Sequence, residues 1–99
     1  MSVTSAKKKQ FRTLGHNLNP IVTIAGNGLS EGVLAELERA LEDHELIKVK
    51  IAVSDRESRS ALVKELLGVS KAELIQEIGK IALIFREAKK PHPQKSNIR

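Results

Sequence analysis

IVTIAGNGLSEGVLAELERALEDHELIKVK, residues 21–50, decides the fold. Ile21-Val22-Thr23-Ile24-Ala25 is short, apolar and rich in β-branched residues, the composition of a buried strand. Gly26-Asn27-Gly28 ends it with residues that tolerate backbone angles closed to others. Ser30 is placed to N-cap a helix, and Glu31 falls in the first turn, where the helix dipole favours an anion. Val33, Leu34, Leu37 and Leu41 share one stripe of that helix, predicted over 30–44. A second strand follows over 46–53, with Ile47, Val49 and Ile51 on one face and Lys48 and Lys50 on the other. The unit is strand, glycine loop, helix, strand.

Outward from it, residues 4–15 predict a short helix that stops at Gly15 and docks through Ala6, Phe11 and Leu14. Lys7, Lys8, Lys9 and Arg12 occupy its other faces. Downstream, Ser54 and Glu57 have capping-box spacing, so a third helix begins there, with Leu62, Val63, Leu66 and Leu67 as its stripe and Gly68 as its stop. Leu74 to Ile78 and Ile81 to Phe85 flank Gly79-Lys80, and glycine first in a two-residue loop predicts a type II′ hairpin. The order α-β-α-β-α-β-β implies an α/β domain built on a four-stranded mixed sheet with packed helices. Pro91-His92-Pro93 and the polar residues after them predict a single domain over 1–90 and a basic, disordered tail over 91–99. On this reading, removing the tail leaves stability unchanged.

The chain has 99 residues, 40% of them hydrophobic, which suits one core burying roughly 60–65% of the unfolded surface. Without cysteine it has no disulfide, thiolate zinc site or cysteine nucleophile, and it fits a reducing cytoplasm. No apolar run approaches membrane-spanning length, and no apolar stretch follows Lys7-Lys8-Lys9 as a secretory signal requires. The net charge of +5 is unevenly spread. Lys7, Lys8, Lys9 and Arg12 at one end, and Arg86, Lys89, Lys90, Lys95 and Arg99 at the other, meet only Glu87 in those segments, while the body between is acidic. Basic ends on an acidic body point to a polyanion partner, although solvated tails kept for solubility give the same pattern.

Nothing points to catalysis, a metal or a cofactor. None of His16, His44 and His92 lies at helical spacing from a second plausible ligand, and His44 at a helix end suits the helix dipole. Glu36, Glu38, Glu42, Asp43 and Glu45 read as a solvated helix face that would repel RNA. Gly26-Asn27-Gly28 matches neither the nucleotidase phosphate loop nor the dinucleotide fingerprint. Ahead of a capped helix it can still offer free N–H groups to one anion, and a plain tight turn uses the same residues. With Phe11 and Phe85 as the only aromatics, a base-stacking sheet of the ribonucleoprotein type is not expected.

The stretch Gly26 to Ile51, with His16-x-Leu18-x-Pro20-Ile21-Val22 before it and Ile78-Gly79-Lys80 running on to Leu83 and Arg86 after it, resembles the CRM domain, the chloroplast RNA splicing and ribosome maturation domain. It is most similar to the bacterial stand-alone, YhbY-like members, over residues 5–87. The resemblance implies a fold similar to the C-terminal domain of translation initiation factor three. It also implies RNA binding without catalysis, on precursors of the large ribosomal subunit. The family's G-x-x-G loop falls on Ala25-Gly26-Asn27-Gly28, so Ala25 replaces the first glycine and would be strained by a positive φ. Phe85 stands where many members have tyrosine. The expected RNA-binding set is Lys7, Lys8, Lys9, Arg12, Gly26, Asn27, Gly28, Leu29, Lys48, Lys50, Lys80, Arg86, Lys89 and Lys90, in a cytoplasmic monomer. The alternative is a module that docks on a ribosomal or translation protein through its acidic helix.

Overall fold

A computed structural model describes residues 3–99. The elements are α1 (Ser5–Gly15), β1 (Pro20–Ile24), α2 (Glu31–His44), β2 (Leu46–Ile51), α3 (Arg56–Ser70), β3 (Glu73–Ile78) and β4 (Ile81–Phe85). The sheet order is β1-β2-β4-β3, with β1 parallel to β2 and β4 antiparallel to both its neighbours. This is the expected α/β architecture with a four-stranded mixed sheet.

The strand alternation divides the sheet into two unequal faces. Val22, Ile24, Ile47, Val49, Ile51, Ala82 and Ile84 point to one side and pack with Leu37, Ala40 and Leu41 of α2 and Val63 and Leu66 of α3. Each of these side chains is at least nine-tenths buried, so truncating a large one costs about 2–5 kcal/mol. On the opposite side, α1 lays Phe11 over Leu46, Ile75 and Leu83, and the Phe11 and Phe85 rings meet at 4.6 Å. Ala6 stays exposed and Leu14 is 37% exposed, so Phe11 is the anchor. Gly15 does not stop α1 by conformation. A Cβ there would come within 2.6 Å of the Leu83 side chain, so glycine allows the helix to sit on the sheet.

β1 lies one residue earlier than the sequence reading, β2 ends at Ile51 rather than at 53, and both ends of α3 differ. Asp55, not Ser54, caps α3, its carboxylate accepting from the Ser58 N–H at 2.9 Å and the Ser58 hydroxyl at 2.7 Å. The helix also runs through Gly68 to Ser70 and is capped by Lys71, which adopts the left-handed conformation at φ 59°. Gly79 has φ 57° and Lys80 does not share the positive region, as a type II′ turn requires.

The tail is the larger correction. Residues 91–95 are exposed, as expected of a tail, but 96–98 are half-buried against the end of α2 and Arg99 reaches Glu45. Glu45 is fully buried, and its carboxylate accepts from the Ala88 N–H, the Ser96 hydroxyl and the Arg99 guanidinium. Asn97 donates its backbone N–H to the His44 carbonyl and its side-chain amide to the Leu46 carbonyl. Ile98 packs against the Phe11 cluster. Proline excludes regular structure from this segment, but it does not exclude docking. Polar composition concealed the partners because they are backbone carbonyls and one buried carboxylate.

Candidate nucleic-acid interface

The loop between β1 and α2 is a tight turn closed by the Gly28 N–H on the Ala25 carbonyl at 3.0 Å. Only Gly28 in this loop has a positive φ, 77°, so Ala25 sits without strain in place of the family's glycine. Ala25, Gly26 and Asn27 are exposed, whereas the Leu29 side chain packs on the core and only its backbone faces the loop. Among the described residues, the N–H groups of Gly26, Asn27 and Leu29 make no backbone hydrogen bond. Ser30 caps α2 by accepting from the Val33 N–H at 3.3 Å, while the first-turn N–H groups of Glu31 and Gly32 have no intrahelical acceptor. The loop thus gathers backbone donors at a positive helix end.

Backbone hydrogen bonds bring three loops to this end of the sheet. The Ile51 N–H donates to the Lys80 carbonyl at 2.7 Å and the Ala52 N–H to the Ile24 carbonyl at 2.8 Å. The hairpin tip with Lys80 and the segment leading to α3 therefore flank the glycine loop. Strand register then places two cations along β2. Lys48 stands opposite Leu83, and Lys50 stands between Thr23 and Ile81, all on the face that carries α1. Among the described residues, Lys48, Lys50 and Lys80 form no ion pair. Lys7, Lys9 and Arg12 are exposed on α1, Lys8 is half-buried, and the Lys7 ammonium lies 5.9 Å from the Phe11 ring centroid.

The remaining expected residues lie elsewhere. Arg86 pairs with Glu38 at 2.7 Å, reaches Glu42 at 3.8 Å and donates to the Ser70 carbonyl. Lys89 and Lys90 donate their backbone N–H groups to Glu42, which holds that carboxyl below its ordinary range. Strand register puts Lys48 and Lys50 on the face that carries α1, and the Ile51–Lys80 hydrogen bond puts the Lys80 hairpin at the end of the sheet where the glycine loop lies. Helix α1 begins at the opposite end, where the Val3 N–H meets Glu73. The structure sets Arg86, Lys89 and Lys90 on the acidic side of α2. Sequence reading missed His16, Gln76, Ile78 and Ile81, which line a hollow beside Lys48. The spacing of Gln76 and Ile78 signals a shared face, but their nearness to Lys48 depends on β4 lying between β2 and β3.

Three comparisons bear on this arrangement. The model of the CRS1/YhbY (CRM) domain family matches residues 3–86. A protein of Pseudomonas aeruginosa named a probable RNA-binding protein is 55% identical over 98 residues, covering 99% of this chain and 94% of the relative. A Haemophilus influenzae RNA-binding protein is 48% identical over 99 residues, covering 96% of this chain and 100% of its own length. The solution structure of a hypothetical Staphylococcus aureus protein, described as a candidate RNA-binding protein, superposes with a TM-score of 0.77 at 32% identity. It covers 90% of this chain and 93% of that one. With the family model spanning the sheet, all three helices and the glycine loop, this chain belongs to the CRS1/YhbY (CRM) domain family.

Proposed function

We propose that this protein binds RNA through the glycine loop and the α1-bearing face of the sheet, and carries out no reaction of its own. The observation that supports this most is the separation of its charges. Among the described residues Lys48 and Lys50 on the α1-bearing face and Lys80 at the loop end of the sheet form no ion pair, whereas the C-terminal cations Arg86 and Arg99 are taken up by Glu38 and Glu45. Such a face suits phosphate contacts, which position an RNA without reading its sequence. The names of the relatives agree with this reading. The family resemblance extends it to precursors of the large ribosomal subunit, bound by a monomer in the cytoplasm. The protein-docking alternative loses much of its surface, because Glu42, Asp43 and Glu45 are engaged by the chain's own C-terminal segment.

The loop is tested by Gly26→Asp. A Cβ at Gly26 meets nothing within 4 Å and its φ is not positive, so the domain stays folded. A carboxylate 4 Å from a phosphate at an effective dielectric near 20 is repelled by about 4 kcal/mol. Titration with structured RNA at fixed salt should show most affinity lost while the circular dichroism melt is unchanged. Unchanged affinity in the folded variant would remove the loop from the binding surface. Gly28 is a poorer probe, since its φ of 77° strains any replacement.

A further inference from the structure

The α1-bearing face is only half covered. Two rows of cross-strand neighbours run over it: Lys48, Leu83 and Gln76, then Thr23, Lys50, Ile81 and Ile78. Helix α1 ends where Gly15 meets Leu83, and beyond that contact the rows lie open. There a hollow of about 220 Å³ is lined by Gly15, His16, Lys48, Gln76, Ile78, Ile81 and Leu83. Ile78 is 65% exposed, the barest large apolar side chain among the described residues. No residue of the two rows is acidic. Glu77 points to the other face, opposite Ala82, and Glu73 at the far end of β3 accepts from the Val3 N–H.

Resting on the RNA reading above, we propose that this hollow takes the base of one unpaired nucleotide. Ile78 and Ile81 supply apolar contact to the base plane, in place of the aromatic platform the chain lacks. The Gln76 amide carries both donors and an acceptor, the pattern needed to read a base edge. Lys48 lies two strand spacings from Gln76, about 10 Å, so a phosphate on the lysine leaves the base over the glutamine. The volume is below the roughly 300–1,000 Å³ of pockets that enclose whole ligands. It suits a base, with ribose and phosphate outside on Lys48 and Lys50. Charge selects RNA over an acidic peptide, because the lysines stand only along the β2 edge of a hollow one base wide, whereas a peptide lying along the rows would find no lysine on β4 or β3 to pair its carboxylates.

A base held in a duplex cannot enter, so the site distinguishes unpaired from paired RNA. The test compares the wild-type chain with Gln76→Ala/Ile78→Ala in titrations with a single-stranded oligonucleotide and a fully paired duplex of equal charge. Both side chains lie at the surface, and a melt verifies folding. The variant should lose about tenfold on the single strand, the scale of one base contact, and less than twofold on the duplex. In the wild type, an oligonucleotide carrying 4-thiouridine should crosslink to residues 76–83. Equal losses on both RNAs would make the face a phosphate surface and overturn the base site. No loss on either, with wild-type binding intact, would overturn it while leaving the RNA reading standing. A wild type that binds neither RNA defeats that reading and this one together. Binding of a polyglutamate peptide across 76–83 without RNA crosslinks there would replace the nucleotide with an acidic peptide.

Discussion

Glu45 carries more of this structure than its place in an acidic run suggests. Its φ of 63° and ψ of −49° lie near the classical γ-turn, a conformation that costs a non-glycine residue about 1–3 kcal/mol. Burial alone would raise its pKa. The Arg99 guanidinium, the Ala88 N–H and the Ser96 hydroxyl overcome that penalty and hold it below the ordinary 4.5. A lowered folded-state pKa means that the stabilisation is complete above that ordinary value and is lost as acid protonates the folded carboxylate. Glu45→Ala should destabilise by about 2–3 kcal/mol, allowing for the partial exposure of Arg99. Glu45→Gly should recover roughly 1 kcal/mol of this by relieving the positive φ. Both should melt with a shallower pH dependence than wild type below about pH 4.5. Equal melting of the alanine and glycine variants would show that the backbone is not strained there. At this scale the loop glycines were legible in the sequence as a turn. Which of them needs a positive φ was not, because that depends on how the turn meets the α2 cap.

Among the elements, the periodicity of apolar residues located every helix and strand to within a few positions, since burial of one face enforces that period. The misplaced ends were decided by choices between equivalent signals. Ser54 and Asp55 both qualify as caps, and the carboxylate wins by taking two hydrogen bonds from Ser58. Gly68 was a permitted stop, but α3 continues to bury Ser70, whose hydroxyl donates to the Leu66 carbonyl at 2.6 Å. The C-terminal segment is the element whose expectation reverses. Deleting residues 91–99 removes the Arg99 and Ser96 contacts to Glu45, both Asn97 bonds and the packing of Ile98. At about 0.5–1.5 kcal/mol per net hydrogen bond, the loss should be about 2 kcal/mol or more. For a domain of this size that lowers the melting temperature by roughly 10 °C. An unchanged melt would restore the disordered tail.

Over the whole molecule, the fold sorts charges that the sequence only counts. Both termini are basic along the chain, yet Arg86, Lys95 and Arg99 reach Glu38, Asp43 and Glu45 while the N-terminal cations share a face with Lys48 and Lys50. Four to six phosphate contacts on that face imply that log affinity falls against log salt with a slope of roughly −3 to −5. Lys48→Gln/Lys50→Gln should reduce the slope by about 1.5, and Lys89→Gln/Lys90→Gln should barely move it. Equal effects of the two pairs would place RNA across both sides of the domain. The sequence by itself determined the element order, the apolar faces and the family, because these rest on local propensity, period-two or period-3.6 burial and a contiguous stretch of chain. Only the tertiary structure decided which cations stand together, that Gln76 and Lys48 border one hollow, and that a polar tail docks on Glu45. Those outcomes depend on strand order, register and long-range partners, and residues far apart in the chain carry no local mark of whom they will meet.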